Sequence, residues 1–309
     1  MVSQGNKQNG DRAYTIRTMT RDELATAVGW AAEEGWNPGL YDVNCFYAAD
    51  PNGFLMGFLD GEPISSISVV KYGDAFGFLG FYIVKQAFRG RGYGMQLWQA
   101  GLDYLRGCNI GLDGVVEQQD NYVKSGFRLA HRNIRYEGFS DVNGEPTQTE
   151  RMLNDSVRLV SLLSVSLPSS LSSVPLKIFN DYDKDIFLYE RSAFLSCWLS
   201  VAQHTVVGLM QGDALAGYGV LRPCQQGYKI GPLFADTPQF AEDIFLALKV
   251  QVERNTPFYL DVPSANVAAV GLAQKYRMNS VFETARMYTQ VPPALPLHKI
   301  FGVTTFELG

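Results

Sequence analysis

Cysteine and histidine are both scarce in this chain. Four cysteines stand among 309 residues, Cys45, Cys108, Cys197 and Cys224, and no two lie at metal-ligand spacing. A disulfide framework and a zinc ribbon are excluded, and reduced core thiols in a cytoplasmic protein are expected. The three histidines, His131, His204 and His298, are dispersed. They imply neither a metal centre nor a Cys-His nucleophile pair.

Positive charge is also in short supply. Lys and Arg total 26 against 31 Asp and Glu, a net charge of -5. That excludes a protein whose main task is to neutralise a nucleic-acid backbone, though not a small basic patch for one phosphorylated ligand. Long apolar runs are missing too. One long charge-free stretch, 159–176, holds seven Ser and two Pro, too polar and broken to span a bilayer, and the first residues lack a signal-peptide core, so no membrane partner is expected. What is abundant is core material: hydrophobic residues make up 46%, enough for one large or two medium domains.

The hydrophobic patterning places a strand at 14–17, a helix capped by Thr20 and Glu23, and a turn at 35–39 that ends it. A short helix at 41–48 and strands at 53–59, 63–70 and 76–84 follow, the first two joined by an Asp60-Gly61 hairpin. A helix from Tyr93 to about Arg106, a strand at 110–115, a short helix at 119–125 and a strand at 129–136 close the segment. Pieces of the same order recur after a Gly, Asn and Pro-containing stretch. Asp213 parallels Asp60 at an offset of 153, Gly231 parallels Gly80 at 151, Leu260-Asp261 parallels Leu112-Asp113 at 148, and Tyr288 parallels Tyr136 at 152. Such drift fits one fold repeated with small loop changes. The implied organisation is a first domain over 14–137, a connector over 138–157, a second domain over 158–290 and a tail over 291–309.

The strongest local signal is Gln86-Ala87-Phe88-Arg89-Gly90-Arg91-Gly92-Tyr93-Gly94. It follows an apolar strand and opens an amphipathic helix. Glycines let the backbone approach a ligand, free amides at a helix start attract phosphate oxygens, and the arginines add charge-assisted bonds. It is not a P-loop, since the Lys-Ser/Thr pair is missing, and its glycine spacing departs from the dinucleotide fingerprint.

Over residues 14–137 the chain resembles the GNAT acetyltransferases. Arg89-Gly90-Arg91-Gly92-Tyr93-Gly94 matches their Arg/Gln-x-x-Gly-x-Gly/Ala segment, and Asn121-Tyr122-Val123-Lys124-Ser125-Gly126-Phe127 matches the end of a second family pattern. The resemblance implies an α/β fold, here two GNAT folds in tandem, each a mixed and mostly antiparallel sheet flanked by helices. It implies acetyl-CoA as cosubstrate and no metal. The pyrophosphate would lie on Arg89, Gly90, Arg91, Gly92, Tyr93 and Gly94, and the pantetheine and acetyl group along Phe81, Tyr82, Ile83 and Val84, with Asn121 nearby. Tyr122 falls on the tyrosine that lies near the cofactor sulfur. The second copy lacks the arginines and carries Asp236, Glu242 and Asp243 near the corresponding helix start; that helix end should repel phosphate.

Acetyl transfer to an amine needs a proton acceptor for the nitrogen and a proton donor for the departing sulfur. Tyr122 is the expected acid. Glu33, Glu34, Asp113 and Glu117 are candidate bases, with Glu34 and Glu117 first. Trp36, Asn37 and Tyr41 could wall a pocket for a small-molecule amine. The expected activity is acetyl-CoA-dependent N-acetyl transfer by direct attack in a ternary complex. Transfer of a longer acyl group to an amino acid, and a CoA-binding regulatory protein without turnover, remain open, as does a homodimer.

Overall fold

Thr20 starts the first helix as its hydroxyl and Glu23 predict. The Glu23 amide donates to Thr20 Oγ1 at 3.3 Å, and the Thr20 amide donates to Glu23 Oε2 at 2.8 Å. The computed structural model describes residues 13–141, 150–154, 157–163 and 175–309. The first half runs β1 (Tyr14–Thr18), α1 (Arg21–Glu33), α2 (Asp42–Ala49), β2 (Phe54–Leu59), β3 (Glu62–Tyr72), β4 (Phe76–Val84), α3 (Tyr93–Tyr104), β5 (Asn109–Val115), α4 (Gln119–Lys124) and β6 (Arg128–Phe139). The Asp60-Gly61 hairpin forms with φ of 51° and 85°, the pair of positive angles that a two-residue turn between twisted strands requires.

The second half runs β7 (Glu150–Asn154), β8 (Val157–Leu163), α5 (Leu176–Phe187), α6 (Ser192–Ser200), β9 (Thr205–Gln211), β10 (Ala214–Pro223), β11 (Tyr228–Ala235), α7 (Pro238–Lys249), β12 (Pro257–Pro263), α8 (Val267–Lys275), β13 (Asn279–Tyr288) and β14 (Ile300–Gly302). Part of the expected 138–157 connector lies outside the described residues. Helix α7 begins where Thr237 accepts the Phe240 amide and Pro238 sits at the first helical position, both favourable there.

Both halves share a single sheet. Its order is β1-β2-β3-β4-β5-β13-β6-β12-β11-β10-β9-β8-β7, with β14 added beside β11. The halves exchange strands β6 and β13. β6 pairs antiparallel with β12, and β13 pairs antiparallel with β5, while β6 and β13 pair with each other at the centre. The repeat is visible in the sequence; this exchange is not.

Two buried ion pairs fasten it. Arg135 of β6 donates to both carboxylate oxygens of Asp261 on β12, each at 2.7 Å. Arg286 of β13 donates to both oxygens of Asp113 on β5, at 2.9 and 2.5 Å. The parallel Leu-Asp positions thus hold equivalent aspartates, each taking the other half's arginine. Matching the two final tyrosines aligns Arg286 with Ile134, one position short of Arg135, and a register shift against β6 falls between Arg286 and Met287.

Helices α1, α2, α5 and α6 cover one face of the sheet in one core that draws on both halves, with Trp30, Phe46, Phe81, Trp198 and Tyr218 inside it. The Phe46 ring of α2 stacks on Trp198 of α6 at 6.2 Å and 11°. On the other face α3 packs over the first half and α7 with α8 over the second, each on its own core. Among the described residues no helix is long and apolar enough to cross a membrane.

Candidate active site

Strands β4 and β5 run parallel and stay paired only from Phe76 opposite Asn109 to Leu79 opposite Leu112. Beyond Leu79 they part. At the parting β4 carries a bulge against β3, and Phe81 takes a positive φ of 44°. That conformation costs a non-glycine residue about 1–2 kcal/mol. Burial of its ring, 5.7 Å from Phe46, offsets the cost. The result is a cleft along residues 81–84 whose β5-side edge has no strand partner among the described residues. Phe81 O accepts from Ser66 Oγ at 3.0 Å and Val84 O from Arg89 Nε at 2.7 Å; an extended ligand would pair with the other backbone groups there.

The glycine segment closes one end of the cleft. Gly90 and Gly92 have φ of 74° and 84°, a region that only glycine enters freely. Gly94 serves close approach: a Cβ there would lie 2.6 Å from the Tyr82 hydroxyl. Gly92 caps α3 without a side-chain bond, and no acidic residue stands in the first turn, so the helix start presents free amides to an anion. The two arginines differ. Arg89 is turned back: its Nε donates to Val84 O at 2.7 Å and its Nη2 to the Glu34 carboxylate. Arg91 is exposed, has no carboxylate partner among the described residues, and lies only near the Phe88 ring.

Tyr122 of α4 stands at the other lip. Its ring stacks on Trp98 at 5.8 Å and 23° and lies against Gly114 of β5, where a Cβ would be 2.1 Å away. Its hydroxyl bonds to no described residue. Burial, then Tyr82 and Glu117, push its pKa up to about 12, so it is protonated at neutral pH. Asn121 is exposed and donates to Gln118 Oε1 at 2.7 Å. Glu117 is exposed in the turn before α4.

The corresponding cleft of the second half is filled. β11 and β12 are paired from Tyr228 to Ile230 and then part. β14 enters the gap, pairing with β11 at Leu233 and Phe234, and the next residue, Val303, donates its amide to Asp261 O on β12 at 2.8 Å. The chain's own backbone sits where a cofactor arm would have to lie.

Residues 36–42 do not form a free pocket wall. Asn37 uses its amide on both Gln226 backbone groups, donating to O at 3.0 Å and accepting from N at 2.8 Å. The Trp36 carbonyl accepts from Arg135 Nη1 at 2.9 Å and Lys229 Nζ at 3.1 Å. Asp42 accepts from the Gly39 amide and from Arg222 Nη1. Tyr41 lies on an outer notch with Arg21 and Asn44. The loop is a clasp onto the second half, and of the three expected pocket residues only Trp36 packs toward the shared core.

Sequence reasoning missed the last residues. Residues 300–309 are all buried. They run from β14 back to the first half, where Ser68 Oγ donates to Glu307 O at 3.4 Å and the Tyr72 hydroxyl to Leu308 O at 2.8 Å. One signal was present: Glu307 is a lone carboxylate in an otherwise uncharged end, Phe301-Gly-Val-Thr-Thr-Phe-Glu-Leu-Gly309. His131 was set aside as dispersed. It stands on β6 opposite Arg286, and burial, then Arg286, push its pKa down to about 4. Among the described residues no three of His, Cys, Asp and Glu gather as metal ligands would.

Comparison with known proteins agrees with this geometry. Residues 19–127 match the acetyltransferase (GNAT) family, and residues 179–302 match an acetyltransferase (GNAT) domain. The chain belongs to the GNAT superfamily of acyltransferases, with two domains in tandem. A holothin acyltransferase from a Pseudoalteromonas species is 29% identical over 302 residues, covering 96% of this chain and 95% of that one. A Pyrococcus horikoshii protein assigned as an acetyltransferase superposes with a TM-score of 0.75 at 21% identity, over 99% of both chains. A tandem GNAT protein from the clavulanic acid biosynthesis pathway superposes with a TM-score of 0.58 at 10% identity, over 91% of this chain and 100% of its own.

Proposed function

We propose that this protein transfers an acyl group, acetyl in the first instance, from acyl-CoA to a small-molecule amine, with the chemistry confined to the first half. The observation that carries this reading is the contrast between the two clefts: one is free and has a protonated tyrosine at its lip, the other is filled by β14. Acyl-CoA, when bound, supplies the acyl group as a thioester. Arg91 and the first amides of α3 would hold its pyrophosphate, and the backbone of 81–84 its pantetheine. Tyr122 would protonate the departing sulfur. Asn37 and Tyr41, held at the seam and the outer notch, are better placed to support the site than to touch the amine. A relative named for one acceptor, holothin, fits transfer to a discrete compound.

Isothermal titration of wild type and Arg91→Ala with acetyl-, butyryl- and octanoyl-CoA tests the reading. One site per chain is expected, weakened about 10-fold in Arg91→Ala, the effect of losing one hydrogen bond to a charged group. Two sites per chain, or none, would overturn it. Tightest binding of octanoyl-CoA would move the acyl group to a longer chain. Binding without thiol release across a panel of primary amines would make the protein a CoA-binding regulator.

A further inference from the structure

Of the carboxylates that the sequence singles out, Glu33 is exposed at the end of α1, and the others are engaged elsewhere or stand on the sulfur side. Glu34 pairs with Arg89. Asp113 takes Arg286 and also accepts Asn133 Nδ2 at 2.7 Å. Glu117 is exposed and acts on the Tyr122 hydroxyl, beside the expected proton donor. A protein base on the amine side would have to be another group.

We propose that Glu307, delivered by the chain's last residues to the face of the sheet opposite α3, accepts that proton; the assignment rests on the acyl-transfer reading above. Its backbone is pinned where β4 and β5 part. A Cβ on Gly80 would come within 2.4 Å of Glu307 O, and Gly80 immediately precedes the kinked Phe81. Only glycine at 80 lets the tail lie this close to β4.

The Glu307 side chain is 5% exposed and its carboxylate bonds to no described residue. The charged groups facing it come from four elements: Lys229 of β11, Arg222 of β10, Asp42 of α2 and Arg135 of β6. Arg222 and Arg135 each already hold a carboxylate of their own. Two buried polar atoms here, Asp42 Oδ1 and Arg222 Nε, lack partners. Buried polar atoms without partners are costly. These two, from α2 and β10, lie beside the unbonded Glu307 carboxylate and mark a spot that a polar ligand would complete. Burial raises the Glu307 pKa above its ordinary 4.5, toward the range in which a carboxylate works as a base near neutrality.

The step balances. The neutral amine nitrogen bonds to the acyl carbon, and Glu307 takes the proton that nitrogen sheds. The carbon–sulfur bond breaks, and sulfur leaves with the Tyr122 proton. Glu307 then returns its proton to solvent and Tyr122 recovers one, leaving amide and free thiol.

Glu307→Gln keeps shape and removes the base. With acetyl-CoA and whichever amine of the primary-amine panel wild type acylates fastest, kcat is expected to fall by on the order of 10²-fold or more, with acetyl-CoA affinity unchanged. In wild type kcat/KM should decline toward acid with a limb above pH 4.5, and the variant should lack that limb. Folding is checked by Tm. A raised folded pKa means that wild-type stability falls as pH rises above 4.5, so the variant should match or exceed wild type at pH 8. A folded variant that keeps the wild-type kcat and acid limb overturns the assignment and leaves the transferase reading standing. Failure of wild type to bind acetyl-CoA or to acylate any amine overturns that reading and this one with it.

Discussion

Tyr122→Phe is expected to lower kcat by on the order of 10²-fold, the usual contribution of a positioned acid, with Tm unchanged to within about 1 °C. The stability half of this expectation follows from the packing. The ring stacks on Trp98 and fills the space over Gly114, and phenylalanine keeps both contacts. The hydroxyl bonds to no described residue, so its removal leaves no buried partner stranded. The chemical half follows from the raised pKa. A hydroxyl pushed up to about 12 is protonated across the working range and can give a proton to a developing thiolate. No alkaline limb from this group should appear below about pH 10, because deprotonation begins only near its pKa. Acetyl-CoA affinity should hold, which separates the loss from a cofactor-binding defect. A Tyr122→Phe enzyme with wild-type kcat would remove this residue from the chemistry and leave the sulfur to be protonated by water.

Local chemistry was legible in the sequence and non-local pairing was not. The Thr20-Glu23 cap, the Asp60-Gly61 turn and the glycine segment each depend on residues within a few positions of one another, and each forms as read. The strand exchange depends on β6 meeting β12 across more than a hundred residues. Nothing in the apolar pattern of 129–136 distinguishes a strand that closes its own half from one that closes the other. Arg135 and Asp261 do mark the exchange, but a charged residue on a strand reads as exposed until its partner is known. The same limit hid the tail. Residues 300–309 look like a short apolar ending, and their place is set by a gap between β11 and β12 and by Gly80, far away in sequence.

On the proposed assignment of Glu307 the two halves share a site as well as a sheet. The first half supplies the cleft, the glycine turn and Tyr122. The second half supplies Arg222 and Lys229, which lie against the 36–42 clasp, and the tail that reaches β4. A second copy that has filled its own cleft is therefore a structural part of the first. Its loss of a cofactor cleft and its contribution of Glu307 follow from one feature, the route of residues 300–309.

That dependence makes Asp261→Ala strongly destabilising, at about 3–5 kcal/mol, the cost of stranding one partner of a buried ion pair. Tm should drop by roughly 5–8 °C. Asp261 accepts two bonds from Arg135, and both side chains are almost fully buried. Without it the Arg135 guanidinium stays buried with Lys229, whose own pKa is already held down to about 8 by burial and then by Arg135. Arg135 also donates to the Trp36 carbonyl, so the 36–42 clasp should loosen and proteolysis there should quicken. Two comparisons isolate the cause. Asp181→Ala removes a carboxylate from the exposed pair with Lys177 and should cost under about 0.5 kcal/mol. The double variant Arg135→Met with Asp261→Leu should regain most of the lost stability, because an apolar pair of similar volume strands no charge. If Asp261→Ala melts within about 2 °C of wild type, the exchanged strands are held by backbone pairing and apolar packing alone. Equivalent behaviour of Asp113→Ala, which strands Arg286 on the other side of the centre, would show that the two halves fasten each other by one device used twice.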